Sequence, residues 1–206
     1  MDSQLTLVPV APAVRLMFSK DSMKNATLFL DSVPIYVIST DAQNACTELR
    51  AAGSGGGELL ARITRKEILP DAVAFPALNG GKEIRLAKWL KKSKLADGSS
   101  THVINTFTVH GTFFLMAHPV HRLALFQEDD LQKPIAQWER VNGTGTSSPP
   151  IIVIEAGPWE VESLRPCIIA AFIVQEFKMR MKEQAGSVTL AMGRPAGQFV
   201  LMSAAK

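Results

Sequence analysis

Between Val14 and Glu155 the hydrophobic positions come in short runs of four to eight residues, punctuated by Gly, Pro, Asn, Asp and Ser. This punctuation predicts strands at Val14–Phe18, Ala26–Leu30, Ile35–Ser39, Thr47–Ala51, Glu58–Arg65 and Ala72–Phe75. Five more are expected at His102–Val109, Thr112–Ala117, Arg122–Gln127, Ile135–Arg140 and Ile151–Glu155. Asp31-Ser32 separates two apolar arms, Leu28–Leu30 and Val33–Tyr36, which is a hairpin signal. Val109-His110-Gly111-Thr112 reads as a second tight turn. Evenly spaced strands of this length argue for a sandwich or a closed barrel.

The pattern changes after Trp159. Ser163 is a candidate N-cap, Pro166 suits an early helical position, and Gly186 can stop a helix. Between them, Cys167-Ile-Ile-Ala-Ala-Phe-Ile-Val174 is apolar on every side, and Gln175–Glu183 is polar. A helix is therefore expected over 164–183. Being apolar all round, its first half must be enclosed all round. A barrel of about eight strands is only just filled by its own side chains, so housing a helix takes more. The expected fold is mainly β, a closed antiparallel barrel around a central C-terminal helix. Residues 1–12 read as a loose arm, 13–184 as the folded domain and 185–206 as a tail with one more strand candidate, Gln198–Met202.

Composition narrows the setting. The 206 residues are 47% hydrophobic and 20% charged, and 22 basic against 19 acidic side chains leave +3. Two cysteines, Cys46 and Cys167, make no disulfide framework and lack zinc-finger spacing. Met1-Asp2-Ser3-Gln4 has no basic n-region, and Pro9 and Pro12 interrupt the following apolar stretch, so no signal peptide is expected. No apolar run approaches the ~20 residues of a membrane span. The expected setting is intracellular and cytoplasmic, peripheral to a membrane at most, with reduced thiols.

One stretch concentrates charge. Lys82–Lys94 holds six basic residues (Lys82, Arg85, Lys88, Lys91, Lys92 and Lys94) in thirteen positions, with one acid, Glu83. Read as a helix, it places Arg85, Lys88 and Lys92 on one face and Leu86, Trp89 and Leu90 on another. Two readings follow. One is a solvated surface helix docked by Trp89; the other is a patch for anions or a membrane surface.

The order of elements adds a resemblance. Leu16-Met17-Phe18 leads through Asn25–Phe29 to Ile35–Thr40, then Thr47-Glu48-Leu49 and Leu60–Ile63. Leu86–Lys91 precedes Ala96-Asp97-Gly98, and Pro134-Ile135-Ala136 precedes the late apolar helix. Over roughly residues 14–184 this resembles the domain-of-unknown-function 6593 family of mushroom-forming fungi, itself similar to tubby C-terminal and LURP-one-related proteins. Where that pattern has a strand rich in Tyr and Trp, this chain has Phe113 and Phe114 beside His110. The resemblance implies a barrel of about twelve strands around the helix and no established activity. The wider group includes phosphoinositide-binding tubby domains and phospholipid scramblases, an analogy at the level of fold.

Catalytic signals are sparse. His118-Pro-Val-His121 pairs two imidazoles without a third ligand at suitable spacing, so no metal site is expected. Neither glycine-rich loop, Gly53–Gly57 or Gly143–Gly145, feeds a helix with a Lys in register. No nucleophile elbow, HExxH or dinucleotide fingerprint occurs. We expect a non-enzymatic binding domain without cofactor, taking anionic phospholipid headgroups through Lys82–Lys94. The alternative is a protein-interaction or structural domain with no small ligand. A single Tyr and the small net charge argue against nucleic acid.

Overall fold

The computed structural model describes residues 11–107, 109–140 and 148–192, with side chains as far as residue 186. The strand candidate Gln198–Met202 and most of the expected arm and tail lie outside these residues. The first half of the chain is a meander: β1 (Val14–Phe18), β2 (Ala26–Leu30), β3 (Val33–Thr40), β4 (Cys46–Ala51), β5 (Leu59–Thr64) and β6 (Ala72–Ala74). A one-turn helix α1 (Pro76–Asn79), β7 (Ile84–Arg85), a second single turn α2 (Leu86–Trp89) and β8 (Leu90–Lys94) follow. A second meander has β9 (Ser100–Ile104), β10 (Phe113–His118), β11 (Arg122–Gln127), β12 (Ala136–Glu139) and β13 (Ile151–Ile154). The short α3 (Ala156–Glu160) then leads into α4 (Leu164–Met192).

The turns follow from local chemistry. Asp31 and Ser32 adopt φ 48° and 69°, the paired left-handed conformation that matches strand twist in a two-residue hairpin. Gly57 has φ 59°, and a Cβ there would lie 1.7 Å from the Ala51 carbonyl oxygen, so the β4–β5 connection needs glycine. The turn expected at Val109–Thr112 is instead part of a loop: β9 ends at Ile104 and β10 begins at Phe113. Phe107 of that loop packs on Phe75, ring centroids 5.7 Å apart.

All thirteen strands belong to one antiparallel sheet in the order β7-β6-β5-β4-β3-β2-β1-β13-β12-β11-β10-β9-β8. This corrects the closed barrel. β7 and β8 are the two edges, and no ladder joins them. They are consecutive in the chain, linked only by α2. The backbone of α2 bonds elsewhere, Leu86 N–H donating to the Asp71 carbonyl and the Trp89 carbonyl accepting from Asn105 N–H, so it offers neither edge a row of partners. Leu86 and Trp89 of α2 are buried and fill the space between the edges with side chains. Trp89 packs on Phe75 at 5.2 Å.

The enclosed helix holds nonetheless. Cys167 through Phe172 are each 0% exposed. They share one core with residues from both meanders, among them Leu16, Ile38, Leu49, Leu115, Trp138 and Ile152. Trp138 stacks on Phe172, centroids 6.4 Å apart. A strongly twisted sheet of thirteen strands thus wraps the helix with one face while its edges stay unpaired. Gly186 does not stop α4, which continues to Met192. Both cysteines are free, Cys167 buried and Cys46 half-buried, as the cysteine count predicted. Among the described residues no helix is long and apolar enough to cross a membrane.

Candidate functional site

The polar half of α4 carries two charged stripes. At 3.6 residues per turn Glu176, Arg180 and Glu183 fall on one side, and Gln175, Lys178 and Lys182 fall nearly opposite. Their surroundings differ.

The first stripe is neutralised. Glu176 is 0% exposed. It accepts from Arg122 Nε at 2.6 Å and from Arg180 Nε at 2.7 Å, and Arg140 lies 3.5 Å away. Asp21, in the β1–β2 loop, pairs with Arg180 and stands 3.4 Å from Arg140. Glu183 accepts from Arg122 at 3.0 Å. Three arginines thus face three carboxylates. Burial alone would lower the Arg122 guanidinium, but its bonds to Glu183 and Glu176 outweigh this and raise it. The cluster ties β11, β12 and the β1–β2 loop to α4.

The second stripe is not. Lys92 on β8 is paired with His102 on β9, in the same ladder in which Leu90 is paired with Ile104. Side chains two apart share a face, so Lys92 and His102 continue the core-facing column beyond the point where apolar residues fill it. Together with Lys178 and Lys182 they line a cleft of about 520 Å³ floored by Gln175 and Met179. None of its described lining residues is acidic. Burial holds His102 below the usual histidine range, and Lys178, Lys92 and Lys182 push it further. Lys178 is lowered first by partial burial, opposed by Asp71 and reinforced by Lys92 and Lys182. The Gln175 Oε1 is buried with no hydrogen-bond partner among the described residues. Its amide can turn to present N–H to an anion.

This geometry revises the expectation for Lys82–Lys94. Only Leu86–Trp89 is helical, so Arg85, Lys88 and Lys92 share no helical face. Arg85 belongs to β7, Lys88 to α2, and Lys91, Lys92 and Lys94 to β8, while Lys82 lies between α1 and β7. All six are exposed. Of these, only Lys92 is in the cleft's lining. His102, Lys178 and Lys182 were missed. The last two carried a visible signal, cations four apart on the polar half of a helix whose other half is enclosed.

His118 and His121 stack at 4.9 Å, and His118 Nδ1 accepts the backbone N–H groups of Val120 and His121. Among the described residues no three His, Cys, Asp or Glu side chains gather to hold a metal. At the opposite end of α4 a hollow of about 580 Å³ is lined by Tyr36, Leu60, Leu78, Glu162 and Arg165. There Arg165 lies over the Trp159 ring at 4.5 Å and donates to the Trp159 carbonyl.

Residues 21–181 match the Family of unknown function (DUF6593), and the chain belongs to that family. No curated protein and no solved structure matches it.

Proposed function

We propose that this family member is a non-enzymatic binding domain for phosphate-bearing anions, with phospholipid headgroups as their source. The observation that carries the reading is the cleft itself, lined by three lysines and a histidine with no acidic side chain among its described lining residues, Asp71 acting on Lys178 from outside it. Like charges held together raise each other's energy, and a phosphate relieves that cost. Lysine ammoniums serve as mobile point charges for such a group, with His102 and Gln175 as further donors. Arg85, Lys88, Lys91 and Lys94 add to the surface potential around it. The resemblance to tubby-like proteins points the same way, by analogy.

The test is binding of a soluble multiphosphate, inositol hexakisphosphate, by calorimetry at low and at physiological salt. At about 1 kcal/mol per cation, changing Lys92, Lys178 and Lys182 together to Ala removes about 3 kcal/mol, over a hundredfold in affinity. Wild-type binding that is absent at low salt, or unchanged in the triple variant, would refute the reading. The chain would then stand as a protein-interaction or structural domain with no small ligand.

A further inference from the structure

Eight large hydrophobic side chains are exposed among the described residues, and half of them gather at one end of the molecule. Ile68 is 96% exposed and Leu69 64%, side by side in the loop between β5 and β6. Val120, at 78%, tips the turn between β10 and β11. Met181, at 51%, lies on α4. Both loops are fastened to the polar half of α4. Arg65 lies over the Phe177 ring at 4.5 Å, Asp71 acts on Lys178, and Arg122 bonds Glu176 and Glu183. These protruding aliphatic tips therefore flank the helix segment that builds the basic cleft. Leu69 also shares a small hollow with Arg85 and with Lys66, which pairs with Glu83 at 3.0 Å.

Loop tips are ordinarily polar, because a turn places its side chains in water. Two consecutive aliphatic residues at such a tip call for an apolar environment from outside the chain. The tips sit on three separate elements, the β5–β6 loop, the β10–β11 turn and α4, rather than along one groove-forming element of the kind a protein partner fills. Aliphatic tips flanking a cleft lined by Lys92, Lys178 and Lys182 match the chemistry of one surface, the interface of a bilayer carrying anionic headgroups.

We propose that this end of the molecule docks on an anionic lipid bilayer, Ile68 and Leu69 entering the interface while Lys92, Lys178 and Lys182 meet headgroup phosphates. The proposal rests on the phosphate-binding reading of the cleft and adds the surface on which those phosphates are displayed. Ile68 and Leu69 are exposed, so changing both to Ser leaves the fold intact, which a thermal melt checks.

The experiment compares wild type, I68S/L69S and K92A/K178A/K182A in two assays. One is co-sedimentation with phosphatidylcholine vesicles with and without phosphatidylserine, and the other is calorimetry with inositol hexakisphosphate. Wild type is expected to bind only the phosphatidylserine vesicles. I68S/L69S is expected to lose at least about tenfold in vesicle affinity while binding the soluble anion as wild type does. The lysine variant is expected to lose both. If I68S/L69S keeps wild-type vesicle affinity, the docking tips are refuted and the cleft stands. A wild type that takes up the soluble anion but stays off both vesicles overturns bilayer docking and leaves a free phosphate ligand. Loss of neither activity in the lysine variant refutes the cleft itself.

Discussion

Two clusters of cations flank the same turns of α4, and they have opposite fates. Arg122, Arg140 and Arg180 meet Glu176, Asp21 and Glu183, and the buried carboxylate at their centre ties β11 and the residue after β12 to the helix. Lys92, Lys178 and Lys182 meet one another and His102 across an open cleft. The residue types fit the roles. Arginine's planar fork suits a fixed carboxylate, whereas lysine suits a ligand that comes and goes. The neutralised cluster ties its elements to α4, and the lysine cleft is where the proposed anion would supply negative charge.

The sharpest way to break this contrast is to neutralise each cluster in turn. Glu176→Gln keeps the shape but removes the buried charge that Arg122 and Arg180 both bond, while Glu183 and Asp21 remain as their other partners, so urea unfolding should show a loss of about 2–3 kcal/mol. Lys178→Met should stay within about 0.5 kcal/mol, since it removes a solvent-reaching charge from beside two like charges. Equal costs at the two positions would erase the distinction between structural and binding cations.

How much of this was legible follows from which signals are local. The strands Val14–Phe18, Ala26–Leu30 and Arg122–Gln127 were readable to the residue, because apolar runs and turn residues lie within a few positions of each other. The enclosed helix was readable because nothing in Cys167–Val174 tolerates water. Lys82–Lys94 misled for a physical reason. Leu86, Trp89 and Leu90 have helical spacing, and one helical turn does form there, but Leu90–Lys94 then extends along β9. Strand pairing, which puts Lys92 opposite His102, depends on a partner ten residues away and on the register between them. The closed barrel failed on the same segment. Whether two edges pair depends on the path of the backbone between them, here α2, whose bonds run to Asp71 and Asn105, and no side-chain pattern reports that.

The second way to sharpen the contrast divides the basic segment itself. Lys91 and Lys92 are neighbours in sequence and point to opposite faces of β8. Arg85, Lys88 and Lys91 together changed to Ala should therefore reduce inositol hexakisphosphate affinity by no more than about threefold at physiological salt, where the Debye length is ~8 Å. Lys92→Ala alone should cost about fivefold to tenfold at the same salt. A larger loss from the first variant than from the second, read by calorimetry, would return the site to the linear segment.

The smallest expected effect is a matter of protons. Burial and three lysines hold His102 below 6.5 in the folded protein, and the unfolded chain has no such restraint. As pH falls through 6.5 the unfolded chain therefore takes up a proton that the folded one refuses, and stability drops until the folded value is reached. His118, lowered by burial and by His121, contributes with the same sign. His102→Gln should flatten part of the decline in urea midpoint below pH 6.5 and leave the His118 share. A bound phosphate reverses the sign at His102 alone, because a negative charge in the cleft favours the imidazolium. Titration of the ring protons by NMR should then show His102 moving up on addition of inositol hexakisphosphate while His118 stays where it was. The two histidines thus separate the ligand's field from general burial: an upward move of both, or of neither, would remove the cleft's claim to hold the anion.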